Sequence, residues 1–353
     1  MAPEQGGGDA DHSLPDASAQ RQGSLRDPSE LGGASDRLTR AILGTAPVFS
    51  AADVAEESGI TIDEARRLWR ALGFPEFDTE VAFNEADLEA VSVLMGFVES
   101  GSIDFDTAVN LTRGVGQMMS RLADWEVATL VTRVEELESG EQATGSRVTS
   151  AMRLIDELNR PFELLVIYAW RRHLAAAVAR VEAMGAKDED LHTVEVSVGF
   201  ADIVSFTALS NRITREKLGD LVEVFESRCQ DVVSRMGGRI IKSLGDSVLF
   251  VIDDADKSMA IAEGIINVVG RDPKMPDVRV GVASGPVVQR LGDVFGPPVN
   301  MAARLTAVAR RNRIIIDQHT ADKLSPELYE SRRLTARPVR GFGLVEPLTV
   351  RRR

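Results

Sequence analysis

The chain has 353 residues, 44% of them hydrophobic and 27% charged, which is typical of a soluble globular protein with two domains. Acidic residues outnumber basic residues 54 to 41, and the net charge of −13 excludes non-specific attraction to nucleic acids or anionic membranes. The single cysteine, Cys229, excludes an intramolecular disulfide and a cysteine-rich zinc site. Since neither a secretory signal nor an apolar stretch of membrane-spanning length is visible, we expect a cytoplasmic protein.

The first half of the chain has the pattern of a helical domain. Residues 1–36 are rich in Gly, Ser, Ala, Asp and Pro, which predicts a disordered tail. From residue 37 to about residue 185, apolar side chains recur at helical spacing, and helix starts are expected at Thr61, Asn84 and Asp104. A polar stretch, residues 186–192, follows as the predicted linker to a second domain, residues 193–353.

The second half alternates strand and helix patterns. The predicted strands are residues 193–200, 239–242, 247–252, 278–283, 286–290 and 313–317. The predicted helices are residues 214–236, 254–270 and 298–310. This order predicts an α+β fold, a ferredoxin-like βαββαβ sheet with helices on one face, preceded by an all-α domain.

Residues 54–68 of the helical half could form a helix-turn-helix with its turn at 58–60. DNA binding requires a basic face, yet residues 51–100 contain many more acids than arginines. The favoured interpretation is therefore a regulatory module, with the apolar pattern of residues 162–181 as a dimerising helix.

Three kinds of input to that module stay open: pH, an apolar ligand and a partner protein. His173 and His192 lie near the predicted junction, although two histidines near a linker are more often incidental. Met118–Met119 and Leu94–Met95, together with Phe97, could line an apolar pocket, although packing in a core is the favoured role.

Two aspartates in the second half follow or interrupt apolar strands. Asp202 ends the first predicted strand, and Asp246 lies in the tight connection of the predicted hairpin. If those strands are neighbours, the two carboxylates meet at one rim, where hard oxygen ligands bind Mg²⁺ or Mn²⁺ together with substrate phosphates. The simpler alternative is that each aspartate only caps a turn.

Three motifs favour the metal site. They are FADIVSFT at residues 200–207, KSLGD at residues 242–246 and GDVFGPPVNMAAR at residues 292–304. In this order and spacing, the second half resembles the catalytic domain of class III nucleotidyl cyclases over residues 193–350. The complete chain resembles soluble bacterial adenylyl cyclases that have a helical regulatory domain before the catalytic domain.

The resemblance implies a role for each motif residue. Asp202, Ile203 and Asp246 would form the site for two divalent cations, Mg²⁺ or Mn²⁺. Lys242 and Asp293 would read the base, and adenine suits them because it offers an acceptor at N1 and a donor at N6. Guanylyl members of the family usually have Glu and Cys instead, so ATP is the expected substrate.

The remaining assignments concern the phosphates. Asn300 and Arg304 are four residues apart on one predicted helix, and the resemblance implies that they stabilise the transition state. It also places Phe206 and Thr207 at the substrate, with Arg340 as a candidate for the triphosphate. Catalysis would cyclise ATP to cyclic AMP and pyrophosphate.

In this family two catalytic domains share each site, so a chain with one such domain predicts a homodimer. Two departures from the family pattern are Ser205, where glycine is common, and the pair Pro297–Pro298 before the helix. A diguanylate cyclase is a weaker alternative because its hairpin signature is missing. A non-catalytic nucleotide sensor or DNA-binding regulator built on the same fold is the alternative from another functional class.

Overall fold

The structure, a computed structural model, describes residues 37–75, 80–141, 143–183, 193–290 and 292–353. The predicted tail and linker lie outside these residues. The chain divides into two compact units, Met1–Ala177 and Val178–Arg353. Within the described ranges, no helix is both long enough and apolar enough to span a membrane.

The first unit is helical, as predicted. After a helical segment at residues 37–43, five helices follow: α1 (Ala51–Glu57), α2 (Ile62–Leu72), α3 (Glu85–Glu99), α4 (Phe105–Ser139) and α5 (Arg147–Ala183), the last of which continues into the second unit. Thr61 and Asn84 begin their helices with complete capping boxes, and the Asp104 side chain caps α4. The three predicted helix starts are therefore confirmed.

The core of the first unit lies among α1, α2, α3 and the start of α4. Val54, Leu68 and Val91 are buried there, and Trp69 stacks on Phe83 with 4.2 Å between ring centroids. Residues 51–57 and 62–72 do form two helices joined by a short turn. This geometry is compatible with the helix-turn-helix alternative without favouring DNA binding.

The second unit is built on a mixed eight-stranded sheet. Its strands are β1 (Thr193–Ile203), β2 (Arg239–Leu244), β3 (Ser247–Ile252), β4 (Val278–Arg290), β5 (Asp293–Phe295), β6 (Ile314–Ile316), β7 (Tyr329–Arg333) and β10 (Leu348–Arg352). The order is β2-β3-β1-β4-β6-β10-β7, with β5 paired to β4. The first four positions form the predicted ferredoxin-like arrangement.

Helices cover both faces of this sheet. The second-unit helices are α6 (Phe206–Ser210), α7 (Arg215–Arg235), α8 (Ala255–Ile265), α9 (Pro297–Val308) and α10 (Gln318–Lys323). Helices α7 and α8 pack on one face, against Ala201 and Phe250. Helix α9 packs on the other face, against Phe200 and Leu249. The expectation of helices on one face holds for the βαββαβ core and is wrong for α9.

The strand and helix predictions in this unit need three corrections. The candidates at residues 278–283 and 286–290 form one strand, β4, which bends at Gly285, where φ is 151°. The predicted helix at 254–270 ends as a π-helix over Ile266–Gly270. The sequence pattern missed β5, α10 and β7, together with the hairpin β8 (Arg337–Val339) and β9 (Gly343–Val345) and strand β10.

Close packing of α9 on β4 depends on Gly281. A Cβ atom there would lie 2.4 Å from the Thr306 nitrogen and 2.5 Å from the Ala302 oxygen, both main-chain atoms that cannot rotate away. We expect Gly281→Ala to destabilise the second unit by about 1–3 kcal/mol. Thermal unfolding followed by circular dichroism measures this change.

Gly219→Ala is the matched control because Gly219 lies on α7, where an added Cβ would meet no heavy atom within 4 Å. Alanine is the better helix former, and we expect this variant to be more stable by about 0.5–1 kcal/mol. Equal melting temperatures for the two variants would contradict the proposed role of Gly281.

Candidate active site

Asp202 lies next to the last residue of β1, between two other strands of the sheet. In the strand ladders it pairs with Ser247 of β3 and with Arg279 of β4. Its Oδ1 accepts a 2.5 Å hydrogen bond from Ser247 Oγ, and its Oδ2 accepts from Arg279 Nε at 2.7 Å. Because its side chain is only 13% exposed, these two neighbours fix its orientation.

Asp246 lies beside it, in the two-residue connection between β2 and β3. Gly245 has a φ of 66°, which permits this tight turn, and the Asp246 main-chain oxygen accepts from the Ile203 nitrogen at 3.0 Å. Burial raises the pKa of the Asp246 carboxyl, and the negative charge of Asp202 adds to the rise. The two aspartates thus meet at one rim of the sheet.

Arg279 is a site residue that the sequence analysis missed. Besides Asp202, its guanidinium contacts the Ala307 oxygen on α9 at 3.0 Å. It therefore ties the end of β1 to α9 and partly neutralises the aspartate pair. The sequence shows only a charged residue in an apolar strand, and its partner depends on a register that the pattern does not give.

Lys242 and Asp293 form a pair at a second position. Lys242 Nζ donates to Asp293 Oδ2 at 2.5 Å, and the two side chains are 33% and 27% exposed. A register shift between Ile240 and Lys242 makes Ile241 an extra residue in β2. Such bulges redirect side chains, and this one lies beside the position where β5 brings Asp293. The structure thus brings together the two residues that the resemblance assigns to the base.

Asn300 and Arg304 lie on the exposed side of α9. Both side chains reach solvent, and neither makes a hydrogen bond or ion pair to any residue that the structure describes. Their spacing on one helix places them on the same face. They are available to a ligand or a second chain.

The other predicted substrate residues are placed differently. Phe206 is half-buried and packs against the core beneath α7 and α8, and its assignment to the substrate stays a prediction. Thr207 is exposed in the short helix α6. Ser205 adopts a left-handed conformation with φ 60°, which explains why glycine is common there.

Arg340 is exposed in the turn between β8 and β9, a two-stranded sheet outside the main sheet. No contact within the described ranges joins it to Asp202 or Asp246. The assignment of Arg340 to the triphosphate stays a prediction, and Arg279 is the arginine that contacts Asp202 within the chain.

The residues singled out in the regulatory half are also separated. An open apolar pocket of about 450 Å³ in the first unit includes Leu94 and Phe97, while Met95 is buried in the core. Met118 and Met119 are not among the residues that line it; they are 49% and 42% exposed, and Met118 lines a different cavity of the same unit. His173 is exposed on α5, and His192 lies outside the described residues.

The chemistry of the aspartate pair suits a divalent cation. Carboxylates are the hard oxygen ligands that Mg²⁺ and Mn²⁺ prefer, and the Ile203 main chain adjoins both. No cluster of three or more potential ligand side chains occurs in the part of the chain that the structure describes. Substrate phosphates and water would have to complete the coordination.

The sheet, with the aspartate pair at its rim and the lysine–aspartate pair on β2 and β5, has the arrangement expected of a nucleotidyl cyclase. Residues 190–350 match the adenylate and guanylate cyclase catalytic domain, and residues 33–158 match the adenylate cyclase regulatory domain. The chain belongs to the adenylate and guanylate cyclase family.

Named relatives extend over most of the chain. An adenylate cyclase of Streptomyces coelicolor is 35% identical over 344 residues, 90% of this chain and 89% of that protein. An adenylate cyclase of Streptomyces griseus is 37% identical over 288 residues, 82% of this chain and 71% of that protein. Among solved structures, the adenylyl cyclase CyaB from P. aeruginosa is 23% identical, covers 45% of this chain and 94% of that chain, and has a TM-score of 0.40.

The hydroxyl of Ser247 provides a test of how Asp202 is oriented. We expect Ser247→Ala to lower cyclase activity with Mn²⁺ about tenfold, because loss of a hydrogen bond to a metal ligand typically costs that much. Initial rates at saturating nucleotide and graded Mn²⁺ measure the effect.

Ser243→Ala is the matched control, since Ser243 lies in the same hairpin, on β2, where it pairs with Val248. Its activity should stay within about twofold of the unsubstituted chain. Similar losses in both variants would show that the hairpin, rather than the Asp202 contact, is responsible.

Proposed function

We propose that the protein is an adenylate cyclase that converts ATP to 3′,5′-cyclic AMP and pyrophosphate. The observation that carries the proposal is the Lys242–Asp293 pair, joined at 2.5 Å in a half-buried position. Together they offer one donor and one acceptor, which match adenine N1 and N6; guanine has the reverse pattern on this edge. The adenylate cyclase relatives support the same substrate.

Asp202 and Asp246 would hold two divalent cations, Mg²⁺ or Mn²⁺. When bound, such ions lower the pKa of the ribose 3′ hydroxyl and neutralise the triphosphate. The Ser247 hydroxyl keeps the Asp202 carboxylate in position. Because β1 lies between β3 and β4, this carboxylate is held at the rim of the sheet. Burial and the negative charge of Asp202 raise the pKa of the Asp246 carboxyl, and a bound cation would offset both effects.

Arg304 and Asn300 would stabilise the charge that develops at the α-phosphate. A guanidinium stays protonated throughout the reaction, and its planar fork fits phosphate oxygens. Their exposed positions on α9 leave them without partners among the residues described. This is the state expected of groups whose ligand arrives from outside the chain.

The functional unit that we propose is a homodimer with two shared sites. On the strands that carry or adjoin the Lys242–Asp293 pair, three apolar side chains are exposed: Leu244 of β2 by 52%, Val288 of β4 by 43% and Phe295 of β5 by 51%. Along α5, nine large apolar residues are also exposed: Leu158, Leu164, Leu165, Ile167, Tyr168, Trp170, Leu174, Val178 and Val181. Exposed apolar surface of this extent is typical of association sites.

We also propose that the helical domain regulates catalysis. Its match to the adenylate cyclase regulatory domain over residues 33–158 supports this role.

Product analysis tests the proposed reaction. The full chain, incubated with Mn²⁺ and either ATP or GTP, should form cyclic AMP from ATP and little cyclic GMP. Asp246→Ala should reduce the rate by more than about 100-fold, because it removes a carboxylate ligand of both cations. Cyclic GMP as the main product would contradict the assignment of Lys242 and Asp293.

The expected controls are a chain shortened to begin at Asp190 and a size-exclusion measurement of each sample. A different rate for the shortened chain would support regulation by the helical domain. If neither chain forms a cyclic nucleotide while both are dimeric, the enzymatic proposal fails and a nucleotide-binding regulator takes its place.

Mixing two inactive variants tests the shared site. One variant has Asp202→Ala and Asp246→Ala, and the other has Asn300→Ala and Arg304→Ala. In a mixed dimer, one of the two sites retains all four residues, so activity should return to roughly a quarter of the original for random exchange. No recovery, after exchange of subunits is demonstrated, would indicate that each site lies within one chain.

A further inference from the structure

The second unit, which carries the catalytic domain, has a pocket between the π-helix, β6 and β10. It has a volume of about 380 Å³, within the range of sites for small molecules. Its lining includes four arginines and one carboxylate, Arg271, Arg313, Arg351, Arg352 and Glu263. We call it the arginine pocket. The residues that line it do not include any that we assign to ATP.

Two of the four arginines lie near a carboxylate and two do not. Arg352 is 3.8 Å from Glu263, and Arg351 is 3.7 Å from Glu330 while 83% of its side chain is exposed. The guanidinium groups of Arg271 and Arg313 are exposed and have no ion-pair partner in the ranges that the structure describes. The pocket therefore has a local excess of positive charge, which attracts anions although the whole chain has a net charge of −13.

One wall of the pocket is rigid. Asn312 has a φ of 54°, and its side chain makes three hydrogen bonds to the surrounding protein. It accepts from the Val278 nitrogen at 3.1 Å and donates to the Gly270 oxygen at 2.8 Å and to Asp277 at 2.6 Å. This network holds the loop before β6 against the start of β4.

The opposite wall is the π-helix Ile266–Gly270, which contributes Ile266 and Asn267 to the pocket. Arg228 of α7 anchors this segment, because it donates to the Val268 oxygen at 2.5 Å and to Asp272 at 2.7 Å. π-Helices are rare, and they occur frequently at functional sites. One wall is therefore held by Asn312, which itself lines the pocket, and the other by Arg228, which lies outside it.

The pocket also connects with the aspartate rim. Val278, which Asn312 holds, pairs with Ile203 of β1, and the next residue, Arg279, binds Asp202. A ligand that moves the Asn312 loop would therefore move the strand end that positions Asp202.

We propose that the arginine pocket binds a small molecule with two or more phosphate groups, and that its occupancy changes the rate of catalysis. Guanidinium forks bind phosphate oxygens in pairs, and several arginines around one small pocket favour a diphosphate over a single phosphate. The binding site is inferred from the pocket alone, whereas the effect on the rate of catalysis rests on the proposed cyclase function.

The binding test uses titration calorimetry of the full chain in EDTA, which removes divalent cations from the ATP site. The probes are inorganic pyrophosphate, ADP and inorganic phosphate. We expect pyrophosphate to bind and inorganic phosphate to bind at least about tenfold more weakly. Tighter binding of ADP than of pyrophosphate would identify a nucleotide as the natural source, and equal binding an inorganic diphosphate.

Two double variants show where the probe binds. Arg271→Gln with Arg313→Gln should weaken pyrophosphate binding about tenfold or more, because it removes the two unpaired guanidinium groups. Arg235→Gln with Arg332→Gln removes the same charge from exposed positions outside the pocket and should change binding less than about twofold. Unchanged melting temperatures show that both variants fold.

The effect on catalysis is measured as the rate at saturating Mn²⁺ and ATP over a range of pyrophosphate concentrations, so that competition at the ATP site is suppressed. The pyrophosphate response of the unsubstituted chain should be lost in the pocket variant and retained in the control variant. An inactive chain that still binds pyrophosphate through Arg271 and Arg313 would reject the cyclase function and leave the binding site standing.

Three results would overturn the proposal. Absence of saturable pyrophosphate binding in EDTA would show that the pocket is not a binding site. Equal weakening of pyrophosphate binding in both double variants would show that only the overall charge matters. An identical rate response in the pocket variant, with its binding lost, removes the link to catalysis.

Discussion

The aspartate pair at the rim of the sheet depends on one ion pair, between Asp202 and Arg279. Two carboxylates in a partly buried corner repel each other, and burial already raises the pKa of Asp246. Arg279 lowers this cost from the neighbouring strand, and Ser247 supplies a neutral hydrogen bond from the other side. The alignment of β1 between β3 and β4 is therefore an electrostatic requirement as well as a result of core packing.

Local charged groups explain how an acidic chain can attract a polyanion. With a net charge of −13, the protein as a whole repels a triphosphate, so attraction must come from local groups or from cations. The exposed Arg304 and the lysine–aspartate pair offer contacts for separate parts of the proposed substrate. The arginine pocket is another place on the same unit where positive side chains outnumber negative ones.

Sequence patterns predicted the βαββαβ order, the helix caps at Thr61, Asn84 and Asp104, and the turn that presents Asp246, because each depends on local chemistry. They missed Arg279 because its contact with Asp202 requires the register between β1 and β4. The bulge at Ile241 and the placement of α9 on the second face also depend on tertiary packing, which periodicity does not encode. The packing of Phe206 against the core was also not predicted, for the same reason.

The two halves of the proposed site differ in how far they are preorganised. Asp202 is fixed by its neighbours and mostly buried, whereas Asn300 and Arg304 are exposed and without partners in the described part of the chain. In a homodimer with shared sites, the aspartate half is ready before assembly and the α9 half gains its role only when a second chain supplies the aspartates. A regulatory input then needs only to change the relative placement of two catalytic surfaces. The energy of a few contacts is enough for this, since a shift of about 1.4 kcal/mol changes the population of the competent arrangement tenfold.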